Sequence, residues 1–88
     1  MALIGMDVEA VRGLAQQLQQ KGQEINEIAN TLTQQLSSAQ WIGTDATRFR
    51  DDWNSQHAKN LHQVAEALRN AGQAATANAQ QQEDASRS

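Results

Sequence analysis

Two histidines, His57 and His62, and two adjacent carboxylates, Asp51 and Asp52 beside Arg48 and Arg50, are the side chains whose types suit them to chemistry. Their spacing argues against it. Two metal ligands on one helix need separations of three or four residues, and His57 and His62 are five apart, on different faces. Adjacent carboxylates on a helix point apart, whereas general acid–base work needs two carboxyls facing one substrate. The chain contains no Cys, which excludes a thiol nucleophile, a thiolate metal site and a disulfide framework. It has no Gly-rich phosphate loop and no Ser/His/Asp arrangement. The expectation is a protein without catalysis, metal or cofactor, in which these residues belong to solvated faces or seam edges.

The elements that carry them are legible in the composition. The 88 residues include no Pro and no Tyr, and the aromatics are Trp41, Phe49 and Trp53 alone. Ala (15) and Gln (14) fill a third of the chain, and such residues lose little entropy in a helix. Long uninterrupted helices in one small domain follow. A net charge of −3 and a pI near 5.1 leave no electrostatic footprint for nucleic acid. The stretch Met1–Met6 is apolar but lacks a basic flank and runs into Asp7. It is too short for a signal-peptide core or a membrane span, so neither general-pathway export nor stable membrane insertion is expected.

The first helix is expected over about residues 8–38, with Asp7 as N-cap and Met6 and Val11 placed as a hydrophobic staple. Its apolar residues Val11, Leu14, Leu18, Ile25, Ile28, Leu32 and Leu36 mostly step by three and four, with Lys21 interrupting the seam. The second helix is expected over 45–79, with Thr44 as N-cap and a stripe that includes Phe49, Trp53, Leu61, Val64 and Leu68. Beyond it, residues 80–88 form a polar tail with little to bury, expected to be flexible. Gly43, in the short connection, suits a positive-φ turn. Two long helices joined so tightly lie antiparallel, giving an all-α hairpin over 1–79 with those twelve large apolar residues (Val11 to Leu68, Lys21 aside) as its core.

A lone hairpin leaves half of every core side chain wet. A second, seven-spaced stripe of small residues, Ala15, Gly22 and Ala29 with Ala58, Ala65 and Gly72, suits close helix approach. It is read as a dimer seam that completes a four-helix bundle, against the plainer reading that Ala is common here and falls anywhere. Trp53 lies on the core stripe. Trp41 lies in the turn, either as a plug closing the bundle end or as an exposed aromatic anchor for a partner.

Trp41-Ile42-Gly43 between two amphipathic helices, in a chain slightly under a hundred residues, resembles the WXG-100 family, the early-secreted-antigen-like proteins of type VII (ESX) secretion. The opening Met6–Leu14 and the positions of Phe49 and Trp53 after the motif are similar to that family too. The resemblance implies a homodimer, or a heterodimer with a WXG-type paralogue, that leaves actinobacterial or Gram-positive cells folded. It implies contact with a type VII export ATPase, no signal peptide, and a role as secreted effector or as adaptor and chaperone. The protein would be extracellular, or cytoplasmic before export. Trp41 and Gly43 correspond to the motif residues. The family's export signal, a C-terminal Tyr followed four residues later by Asp or Glu, is degenerate here. Ala79 precedes Glu83, and Gln80 precedes Asp84, so a partner chain is expected to supply the signal.

Two rivals compete with this reading. A membrane-active effector would need a basic polar face that the chain lacks, and a generic cytosolic adaptor would carry its Trp-x-Gly by accident.

Overall fold

The computed structural model describes residues 6–87; the apolar start at 1–5 and Ser88 lie outside the described residues. Helix α1 spans Val8–Ser38. Its N-cap is Asp7, whose side chain accepts from the backbone N–H of Ala10 at 3.0 Å, as the capping pattern predicts. After a short connection, α2 runs Thr44–Asp52, a π-helical turn occupies Trp53–His57, and α3 runs Ala58–Arg87. The caps at both joints keep right-handed helical dihedrals, so α2, the π-turn and α3 form one arm. The two arms lie antiparallel as an all-α hairpin 65 Å long and 16 × 15 Å across.

The hairpin closes on its small residues. Ala15, Gly22 and Ala29 of α1 and Ala65, Gly72 and Ala79 of α3 are buried, each seven from the next. A Cβ added to Gly22 would sit 2.8 Å from the backbone oxygen of Ala65, and one on Gly72 2.9 Å from that of Ala15. The arms therefore touch backbone to backbone. At that separation a Leu or Ile does not fit on the contact line, and large side chains are displaced to its flanks.

This corrects the assignment of core and seam. Ala15, Gly22, Ala29, Ala65 and Gly72 pack between the two arms of one chain rather than between two chains, and Ala58 is half-buried at the end of the stripe. Of the residues read as hairpin core, only Trp53 is buried. Val11, Leu18, Ile25, Leu36, Leu61 and Leu68 are half-buried, while Leu14, Ile28, Leu32, Phe49 and Val64 are exposed.

The π-turn follows from the phase of the stripe. Ala46 and Trp53 are seven apart and buried, as are Ala65, Gly72 and Ala79 among themselves. Trp53 and Ala65, however, are twelve apart, which in a regular helix turns one about 120° from the other. One residue accommodated as a π-turn removes that mismatch. The Ala58 N–H donates to the Trp53 carbonyl five residues back. The second arm is therefore not one regular helix, as the stripe's spacing predicts, but two α-helical segments joined by a π-turn.

Two further boundaries differ from expectation. Gly43, at φ +135°, is the N-cap of α2, and Thr44 is its first helical residue. The second arm does not stop at 79 but remains helical to Arg87. Ala79 is buried, and Glu83 reaches across to Arg12 at 2.9 Å. The proximity of residues 80–87 to the start of α1 supplies partners that the polar composition concealed.

That cross-arm pair gives a pH prediction. The hydrogen bond from Arg12, then its charge, hold the Glu83 carboxyl below the ordinary value of 4.5, and Arg12 is raised chiefly by the same bond. A depressed carboxylate stabilises the fold above its unfolded pKa, and the contribution is lost as pH falls through the lowered folded value. Glu83→Gln should therefore melt earlier than the native chain at pH 7, and the gap should close as both are melted at successively more acid pH, through the lowered folded value. A gap that persists in acid would show that the pair's charge is not its cause.

Candidate protein-docking site

The hairpin has two unlike sides. On one, Arg12 and the polar side chains four residues past Ala15, Gly22 and Ala29 bond across to α3 or the π-turn. Arg12 donates to Glu83 and Gln80, Gln19 donates to the Arg69 carbonyl at 2.9 Å, and Asn26 meets His62 Nδ1 at 2.6 Å. The Trp53 indole N–H donates to the Thr33 hydroxyl at 2.8 Å, which in turn donates to the Ala29 carbonyl. Each arm's polar flank is thus engaged by the other.

The opposite side is apolar. Residues three past the small positions, Leu18, Ile25 and Leu32 on α1 and Leu61 and Leu68 on α3, border the contact line. Leu14 and Ile28 lie further round α1, 55% and 54% exposed, and Val64 lies further round α3 at 48%. Isolated exposed apolar residues are ordinary, but a contiguous face of them marks an interaction surface. Lys21, between Leu14 and Ile28 on the same line, pairs with Glu24 at 3.3 Å.

The turn end forms a second feature. Trp41 and Phe49 are each 43% exposed, with ring centroids 5.9 Å apart and tilted by 52°. Ile42 is 93% exposed. Trp41 is thus partly covered at the turn end of the hairpin. Gly43 adopts the positive φ that lets the chain enter α2.

Arg50 holds this end together, a role its neighbours in the sequence did not reveal. Its Nε donates to the Leu36 carbonyl at 2.7 Å, Nη2 to Ala39 at 3.0 Å and Nη1 to Trp41 at 2.8 Å. Its guanidinium carbon lies 5.9 Å from the centre of the Trp41 ring. The α1 carboxyl end has no basic residue in its last turn, so Arg50 supplies the charge and donors that end lacks. Arg50→Lys, which keeps the charge but loses the fork, should destabilise the hairpin by about 1–2 kcal/mol. Amide hydrogen exchange should quicken around residues 39–43, and unchanged exchange there would remove Arg50 from this role.

The other sequence-selected residues are dispersed. His57 is exposed near Trp53, at 6.4 Å between ring centroids, and His62 is on the polar side. Asp51 and Asp52 are exposed on α2. Among the described residues, no three His, Cys, Asp or Glu side chains come together as a metal site would require. No helix among them is long and apolar enough to cross a membrane. At the degenerate export signal, Ala79 is buried, Gln80 donates to Asp84 at 3.0 Å, and Glu83 is held by Arg12. Comparison with known proteins finds no matching family model, curated protein or solved structure, and the functional reading accordingly rests on the chain's own residues and geometry.

Proposed function

We propose that this chain is a non-enzymatic, WXG-type binding protein associated with type VII secretion, which pairs with a second hairpin to complete a four-helix bundle. The observation that carries the reading is the apolar face of Leu14, Ile28, Leu32 and Val64, left exposed on a hairpin whose only buried large side chain among the described residues is Trp53. A hairpin that spends its contact line on Ala and Gly buries little apolar area for its length, and a second layer is the usual remedy. The Trp41-Ile42-Gly43 turn, with Gly43 at φ +135° between two long helices, agrees with the family resemblance. The pairing partner is a second copy or a paralogue, and the bundle acts as effector, adaptor or chaperone.

The test is export. Expressed in a host with an intact type VII ATPase, alone and with a paralogue that bears the C-terminal Tyr signal, the chain should reach the culture filtrate only with that paralogue. It should remain inside when the ATPase is inactivated. Release that ignores the ATPase would remove the secretion reading.

A further inference from the structure

We propose that the cleft at the turn end, between the carboxyl end of α1 and the π-turn, binds a neutral mono- or disaccharide. The cleft has a volume of about 520 Å³, inside the range of roughly 300–1,000 Å³ usual for small-molecule sites. It is walled by Trp41 and Ile42 of the connection, Trp53 and Asn54 of the π-turn, and Ser37 and Gln40. Thr33 and Trp53 of the polar side line it, whereas Leu14, Ile28, Leu32 and Val64 do not. The cleft therefore lies apart from the apolar face, and its ligand does not depend on whether a second hairpin covers that face.

The walls combine two kinds of group. Trp41 and Ile42 are exposed apolar side chains, and Trp53 brings a second indole. Beside them stand two carboxamides, Gln40 and Asn54, and the Ser37 hydroxyl. Among the described residues, none of these three side chains bonds to another group of the protein. The Thr33 hydroxyl differs, since it accepts from Trp53 and donates to the Ala29 carbonyl, and so serves the fold. Carboxamides and hydroxyls both donate and accept, which is what each hydroxyl of a sugar requires. The ring C–H groups of a pyranose are apolar and weakly positive, and the face of an indole is the negative part of its quadrupole. A sugar presents both surfaces on one small, rigid ring. A peptide backbone would instead need a free backbone edge to pair with, and the Ala39 and Trp41 carbonyls already accept from Arg50.

Charge selects a neutral ligand. Among the described residues no carboxylate lines the cleft, and Arg50 is its one cation. The Arg50 fork is spent on the Leu36, Ala39 and Trp41 carbonyls, and the partial negative charge of the α1 carboxyl end offsets it. Little is left to attract a phosphate or a carboxylate. The same bonds fix the connection, so the Trp41 ring and Gln40 are held in place before a ligand arrives, which lowers the cost of binding. The π-turn contributes Trp53 and Asn54, and such turns recur at functional sites.

The experiment is a titration of the isotopically labelled full chain with glucose, galactose, N-acetylglucosamine, maltose and cellobiose, followed by the indole N–H and side-chain amide resonances. At least one of these sugars should move the Trp41 indole and the Gln40 and Asn54 amides along one saturating curve. Trp41→Ala should weaken binding at least about tenfold, and Asn54→Ala at least about fivefold. Ile42→Ala, at a side chain 93% exposed, keeps the test open should Trp41→Ala lose its native helicity, and it too should weaken binding. No movement of these resonances with any of the sugars up to about 50 mM overturns the proposal. Movement that Asn54→Ala and Ile42→Ala leave unchanged overturns the cleft as the site. A stronger response to inorganic phosphate, or to a neutral peptide, than to every sugar overturns the ligand class.

Discussion

Replacing Gly22 or Gly72 by alanine destabilises the hairpin, although alanine is the better helix former by about 1 kcal/mol. The reason is the distance between the arms. A methyl at Gly22 would lie 2.8 Å from the Ala65 carbonyl oxygen, and one at Gly72 2.9 Å from that of Ala15. Both obstacles are backbone atoms within helices, so relief requires the arms to separate along their length. Separation also loosens the buried methyls of Ala15, Ala29, Ala65 and Ala79. Overpacking of this kind costs about 1–3 kcal/mol and outweighs the gain in propensity. Gly13 is the internal control, since a Cβ there meets nothing within 4 Å. Gly13→Ala should stabilise α1 by about 0.5–1 kcal/mol. Urea melts of the three variants check the account, and stabilisation by all three would mean that the arms are not in backbone contact.

Removal of Ser55 leaves the hairpin folded, whereas removal of Asn70 unfolds it. Both residues are exposed on the second arm. Ser55 lies inside the π-turn, where its hydroxyl donates to the Asp51 carbonyl one turn back. Without it Trp53 and Ala65 are eleven apart, about 20° from alignment in a regular helix, and the stripe stays in phase. Without Asn70, Gly72 and Ala79 turn by about 100° away from α1, and with them the Glu83 partner of Arg12. Circular dichroism melts should show a cooperative transition for the first deletion, at or above the native midpoint, and its loss for the second. If both deletions behave alike, the π-turn is not the element that brings the stripe into phase.

The all-α hairpin was legible because its evidence is local. Asp7 caps α1 through the Ala10 N–H, and Gly43 takes a positive φ, both properties of a few adjacent residues. Which stripe faces inward was not local. Large and small stripes both repeat at helical spacing, and size alone favours the large one as core. The decision depends on how closely two backbones approach, and each Gly at a heptad position is the sign that the small stripe wins. The two Gly positions were visible in the sequence; that Gly22 faces the Ala65 backbone and Gly72 the Ala15 backbone across one hairpin was not. The same limit hid Arg50, whose acceptors on Leu36, Ala39 and Trp41 belong to the other side of the turn. It hid Glu83 too, whose partner Arg12 is 71 residues away. The π-turn left a trace, a step of five from Trp53 to Ala58 in a pattern otherwise of sevens.

Once the small stripe is spent on closing the hairpin, the large apolar residues are left on the exposed face that we propose a partner covers. That proposed face is made of the residues expected as core, and the residues expected as dimer seam hold the chain to itself.

The measurement that tests this most directly is the solution mass of the purified chain by light scattering, taken with thermal melts over a range of concentrations. The account predicts twice the 9.6 kDa of the single chain, with a melting midpoint that rises with concentration because pairing and folding are linked. A helical, cooperatively melting monomer with a concentration-independent midpoint would contradict it, by showing that the exposed face needs no second hairpin.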